Sequence, residues 1–550
     1  MLMSGFCSMN PKEVFVREAT GLVREISLID AIFMNLGWSG PVGYAVAYTI
    51  AWVPASFSGA NLVAVILLAM VLCFAIVATY GLFSAAMPRS GGDYVWVSRV
   101  LSPPLGLLVS WTIWFWTMMW FATATNWVTT FTIVPALANI GFVSNNAELI
   151  NLSSTLSSPV WVFVIGAVVV LLLAFLSIQG VTRVMAAQKY IAALAIIGSL
   201  ISIAVLLGHT HSDFVAAFNQ YMNPYTKSTD SYSYVISTAN QAGYSASGFS
   251  LSDTLLALPF GYFAFGWAFA SAYVGGEMKR ANDTTRQIIA TVGGSAVVGL
   301  LTVVLIGLLE NITGYEFFSC ASYLFLFSPQ SLNIPVPSFG MFNMMISFLS
   351  GNVFVTGLVN ILFVAWGLLA LPVLFMTQSR VILAWSFDQV FPRSLADVSE
   401  RYHTPVKALS VVTGLAIVLL GFYTFLPFFF SLFTTTILSE IIFALIPVGI
   451  AAVVFPYRKK DLYSRSPHSS IGGIPLISLT GIVMVVFLVF VAAVMLGTAQ
   501  YGTGIAISVI PFTVGAVFSL LGLLIYYAFK AYRKAHGIDL GLVFTQIPPE

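Results

Sequence analysis

Apolar residues run along this chain in long blocks separated by short polar stretches. Twelve blocks approach or exceed the roughly 20 residues that carry a helix across the hydrocarbon core of a bilayer. They cover 27–52, 60–86, 104–136, 158–179, 185–208, 251–276, 286–310, 352–384, 406–426, 429–455, 473–497 and 506–530. Two of these spans are interrupted by glycine. Asn35-Leu36-Gly37-Trp38-Ser39-Gly40-Pro41 breaks the first, and Phe263-Ala264-Phe265-Gly266-Trp267 breaks the sixth. A helix broken in hydrocarbon exposes backbone N–H and C=O groups, which survive only where they face a cavity or a ligand. One such break in each half of a polytopic chain points to the binding site of a transporter.

Composition agrees with the pattern. Apolar residues make up 59% of the 550, charged residues 8%, and the mean hydropathy is +0.95. A soluble domain carries about 25% charged residues. With these spans the connecting segments alternate sides, and 21 of the 22 Lys and Arg residues fall on one side, leaving Lys227 alone on the other. Removing one span would scatter the basic residues over both sides. Positive charge marks the cytoplasmic face, so both termini are expected in the cytoplasm of a plasma-membrane protein. The net charge of +2 leaves no surplus that calls for nucleic acid. The first 24 residues lack a short apolar core with a small-residue cleavage site, so no removable signal peptide is expected. Cys7, Cys73 and Cys320 lie in three different regions and form no framework.

Five spans per repeat make two successive repeats inverted. The expected organisation is a cytoplasmic N-terminus (1–26), a first five-helix repeat (27–208), an extracellular loop (209–250), a second, inverted repeat (251–455), a cytoplasmic loop (456–472), helices 11 and 12 (473–530) and a cytoplasmic C-terminus (531–550). The broken first and sixth spans are then equivalent and run in opposite directions. The fold class is an all-α membrane protein of about twelve transmembrane helices. The outer segments 209–250 and 311–351 read as long loops. His209-x-His211-x-Asp213 reads as a solvated helix end rather than a metal site.

Four stretches resemble the amino acid–polyamine–organocation permeases. Pro88-Arg89-Ser90-Gly91-Gly92-Asp93-Tyr94, followed by Gly106 and Trp114, is similar to the family's loop leading into helix 3. Ser379-Arg380, then Asp388, Pro392, Leu395-Ala396 and Pro405, matches its pattern after helix 8. Gly276-Glu277-Met278-Lys279 is like its helix 6 ending, and Ser39-Gly40 is like part of its helix 1 triplet. Trp38 stands where that triplet has its first glycine, and Ala268 stands where some relatives carry an acid. The resemblance spans about 22–455 and implies a five-plus-five inverted repeat with discontinuous helices 1 and 6.

The outer half of the first span starts near Ser39 to Gly43. Its unpaired N–H groups and the positive end of the helix dipole attract a carboxylate. Pro41 suits a first helical turn. The inner half ends near Leu36, and the outer half of the sixth span ends near Phe265, each with free carbonyls that attract an ammonium group. Carboxylate and ammonium together describe an α-amino acid, and the resemblance implies that the zwitterion binds this way. The expected substrate site is Leu36, Gly37, Ser39, Gly40, Tyr262, Phe265, Gly266 and Trp267, with Phe121, Ala124 and Trp366 as weaker members. The competing account of such glycines is close helix packing. It suits Gly81 and Gly198 better than the 37–43 run.

Ala268 argues for a neutral side chain. Glu440, the one ionisable residue deep in a span, argues for caution. It could carry a coupling proton, bind a cationic substrate, or be neutral and hydrogen-bonded to Thr434, Thr435, Thr436 or Ser439. Asp93, Glu277 and Asp388 are expected in a charge network with Arg89, Lys279 and Arg380, serving either topology or an inner gate. No cofactor is expected. A coupling ion, H+ or Na+, stays open, as does oligomeric state. The partners are an amino acid and membrane lipid. The leading function is a secondary active transporter of a neutral amino acid by alternating access, and the runner-up is a carrier or exchanger of cationic amino acids or polyamines. A pore would need polar stripes along several helices. An enzyme would need a phosphate loop, a metal pair or a nucleophile elbow, and none is present in the sequence.

Overall fold

The computed structural model describes residues 22–38, 47–332, 342–501 and 509–544. Among these, ten helices are long and apolar enough to cross a membrane: α2 (Leu62–Ala86), α3 (Pro103–Ser144), α4 (Pro159–Ile178), α5 (Val181–Leu207), α7 (Thr284–Thr313), α8 (Val353–Phe387), α9 (Val406–Phe425), α10 (Ile437–Arg458), α11 (Leu476–Gly497) and α12 (Phe512–Ala535). The two remaining expected spans are represented by shorter apolar helices, α1 (Leu28–Trp38) and α6 (Leu251–Phe265). These are the spans that carry the glycine breaks. The protein is an all-α integral membrane protein.

Side chains with few backbone alternatives set the helix starts. Asn61 accepts from the N–H of Ala64 to begin α2, Asp283 accepts from Arg286 at α7, and Asn352 accepts from Phe354 and Val355 at α8. Counterparts in the two expected repeats pack in pairs, α2 on α7, α3 on α8 and α4 on α9. Glycine allows close approach where helices cross: a Cβ at Gly81 would lie 3.0 Å from Thr291 Oγ1, and one at Gly198 would lie 2.6 Å from Leu362 Cβ. Two helices widen into π turns, α3 at Val128–Ile133 and α10 at Ile441–Leu445. Such turns recur at functional sites.

The two outer segments expected as loops are largely helical. His211–Thr226 and Ser231–Gln241 are helices, as are Tyr315–Phe327 and Phe342–Ser350. Phe214, Phe218 and Met222 lie one turn apart and are buried, and Tyr232 stacks on Phe317 with centroids 4.5 Å apart. Asp213 closes a capping box with Thr210, so the His-x-His-x-Asp stretch is a helix start.

Candidate functional site

The first break begins where α1 ends, at Trp38. Ser39 and Gly40 lie outside the described residues. The second break is wider than a single kink. After Phe265 the backbone turns at Gly266 and continues only as short 3-10 segments, Ala270–Tyr273 and Gly275–Glu277. The amide of Gly266 still donates to the carbonyl of Tyr262 at 2.8 Å, and a Cβ at Gly266 would strike the Tyr262 ring at 2.5 Å. Glycine here lets the last turn of α6 close over its own tyrosine.

The breaks meet in one cavity. Trp38, Thr117, Trp120, Phe263, Trp267, Ile437 and Glu440 line about 310 Å³ of unfilled space. Its free core admits little more than a water molecule, so a larger guest requires side chains to move. Four aromatic rings and one carboxylate form the wall. Trp120 meets Phe263 edge to face at 5.0 Å. Glu440 is 6% exposed, and among the described residues no hydrogen bond reaches its carboxylate. In particular, Ser439 Oγ makes no bond to it; the side chains of Thr434, Thr435 and Thr436 lie outside the described set.

Of the other expected site residues, Tyr262 and Phe265 are fully buried just outside this cavity. The Tyr262 ring lies 5.9 Å from Trp267 and 6.2 Å from Phe487 of α11, and its hydroxyl has no partner. Leu36 is buried in the core. Gly37 faces elsewhere: a Cβ there would lie 2.4 Å from Gln188 Nε2 and 2.8 Å from the carbonyl of Leu369. That amide nitrogen donates to the carbonyls of Leu369 (2.8 Å) and Phe33 (3.3 Å), tying α5 to α8 and α1. Phe121 packs on Phe375, and Trp366 donates to Ser199 in a separate cavity.

Asn35 and Ser271 join the two breaks. Asn35 Nδ2 donates to Ser271 Oγ and the amide of Ser271 donates to Asn35 Oδ1, both at 2.9 Å. Trp38 also joins an aromatic layer with Phe269, Tyr273 and Tyr80. Trp38 lies 5.6 Å from Phe269 and 5.2 Å from Tyr273, and Phe269 stacks on Tyr80 at 3.8 Å.

Under this layer sits the polar network. Asp93 is fully buried. Its Oδ2 accepts from the hydroxyls of Tyr273 (2.5 Å) and Tyr80 (3.2 Å), and its Oδ1 has no partner. Burial pushes its carboxyl up to about 7, against the opposing hydrogen bonds from Tyr273 and Tyr80. Gly92 sits at φ +51, and a Cβ there would lie 3.1 Å from the Tyr273 ring. Arg380 of α8 pairs with Glu277 through two bonds, Nε to Oε1 at 2.9 Å and Nη2 to Oε2 at 3.1 Å. Asp388 pairs with Arg99 at 2.7 Å, Lys279 is exposed, and Arg89 donates to the carbonyl of Pro88. The pairing of Asp388 was not legible because 289 residues separate it from Arg99. The amide of Ile26 donates to the carbonyl of Glu277 (3.0 Å), and the amide of Lys279 donates to that of Ile26 (2.9 Å), joining the start of α1 to the end of the second break.

No curated protein matches the chain. A family profile described as amino acid permease matches residues 26–518, from just before α1 into α12. With nearly all of the helical body inside that match, this amino acid transporter belongs to the amino acid permease family.

Proposed function

We propose that the protein is a secondary active transporter that moves an amino acid across the plasma membrane by alternating access, with both termini in the cytoplasm. The observation that carries this reading is the meeting of both broken spans with Glu440 in a single aromatic cavity. Helix ends supply the zwitterion's partners, and Trp38, Phe263 and Trp267 supply apolar contact for its side chain. The substrate's carboxylate goes to the N–H groups beyond Trp38 and its ammonium to the carbonyl ends of α1 and α6. A carboxylate buried within a membrane is costly and marks function. The charge of Glu440 is matched by a proton that accompanies a neutral amino acid.

Glu440 also favours a second reading. It supplies the negative charge that Ala268 withholds, and the surrounding rings attract cations. A cationic amino acid or polyamine would then replace the proton.

Purified protein in liposomes tests both readings, using labelled amino acids and amines with imposed proton or sodium gradients. Uptake of a neutral amino acid driven by a proton gradient, lost in Glu440→Gln, supports the first. Uptake of cationic substrates without proton coupling supports the second. If no amino acid or amine accumulates or competes, both are wrong.

A further inference from the structure

A second cavity lies apart from the first. It is lined by Ser199 and Ser202 of α5, Leu305 of α7, Asn343 of the 342–350 helix, and Val359 and Trp366 of α8, among others. Its free space is about that of one water molecule. Next to it three buried asparagines from three segments form a triad. Asn139 Nδ2 and Asn343 Nδ2 both donate to Asn360 Oδ1 at 2.8 Å, while Asn360 Nδ2 donates to Ser347 Oγ (2.8 Å) and the carbonyl of Thr356 (2.9 Å).

This pattern fixes the amide orientations. With Asn360 Oδ1 receiving two donors, Asn139 and Asn343 must both present N–H to it, so their oxygens face elsewhere. Asn139 Oδ1 and Asn343 Oδ1 are fully buried and have no partner. A buried carbonyl oxygen without a donor is costly and calls for one. The serines add acceptor capacity. Ser202 Oγ donates to the carbonyl of Gly198 and keeps its lone pairs. Ser199 Oγ donates to that of Ala195, accepts from Trp366 Nε1, and keeps one. Every polar side chain lining the cavity therefore offers oxygen, and none is a carboxylate.

We propose that this cavity binds a small monovalent cation, sodium by size, through Asn343 Oδ1 and the hydroxyls of Ser199 and Ser202. Hard oxygen ligands suit alkali and alkaline-earth ions, and a divalent ion would require carboxylates to offset its charge. The elements brought together are α5, α7, α8 and the 342–350 helix, none of which contributes to the wall of the first cavity. The site goes beyond the substrate reading and stands whether or not the first cavity takes an amino acid.

The test uses the purified full chain in detergent, without any amino acid. Binding of radiolabelled sodium and thermal unfolding are measured in sodium, potassium, lithium and choline chloride at equal ionic strength. The expected result is saturable sodium binding with a sodium-specific rise in Tm. Asn343→Leu abolishes both, Ser202→Ala weakens binding on the order of tenfold, and Asn343→Asp retains it. Ser202→Ala removes one hydroxyl and keeps the test decisive if Asn343→Leu does not fold. No sodium-specific effect in the wild type would mean that only water fills the cavity and would overturn the proposal. Sodium binding that is unchanged in Ser202→Ala and Asn343→Leu would place the ion elsewhere and overturn it equally.

Discussion

Arg380 holds both oxygens of Glu277 in a pair whose side chains are each 1% exposed. Arg380 belongs to α8, and Glu277 ends the irregular segment after α6. A forked, charge-assisted contact of this kind is geometrically specific. Burial makes its loss severe, because an isolated charge stays behind. Glu277→Gln is expected to cost about 3–5 kcal/mol, read as a lower Tm in detergent. Replacing both partners by apolar residues should recover part of that loss. Losses that simply add in the double variant would show that the pair itself contributes nothing.

Asp93 predicts a pH dependence. Its carboxyl is pushed up to about 7, from 3.8, because burial outweighs the Tyr273 and Tyr80 hydrogen bonds. In the window between those values the folded protein holds a proton that the unfolded chain has released. Stability from this group is therefore present in full at the acid end and is lost as pH rises through about 7. Asp93→Asn should flatten the fall in Tm across that window. A variant whose Tm falls as steeply as the wild type's would remove Asp93 as its source.

Gly37 is expected to tolerate no side chain. Ala at this position places Cβ against Gln188 Nε2 and the Leu369 carbonyl. Overpacking of this kind costs about 1–3 kcal/mol. Gln188→Ala relieves the first contact only, so Gly37→Ala should be less damaging in that background. Additive losses in the double variant would rule out the contact as the cause.

Gly40→Leu should abolish substrate binding while the protein keeps its melting profile and elution volume. Unchanged binding would remove the first break from the substrate site.

Much of this architecture is legible in the order of residues. The interruptions at Gly37 and Gly266 mark the two spans that form only short helices, because glycine in an apolar run weakens a helix wherever it falls. Glu440 stands out because it is ionisable within a span. Trp38 reads as part of the first break and as a departure from a family triplet, not as a substrate-site residue, yet it lines the cavity beside Trp267. Its role depends on how α1 and the second break face each other, which no local pattern records. Thr117, Trp120 and Ile437 are hidden for the same reason, as ordinary members of apolar helices. The helices at 211–226 and 231–241 escape notice because polar residues and Tyr are frequent in both, while Phe214, Phe218 and Met222 carry the helical spacing of the first.

The bonds between Asn35 and Ser271, with those linking Ile26 to Glu277 and Lys279, have a mechanical consequence. Two segments fastened at both ends resist sliding past one another. Tilting of α1 is therefore expected to carry the chain after α6 with it. That side of the molecule therefore has a single lever, with the Glu277 pair at one end and Trp38 at the other.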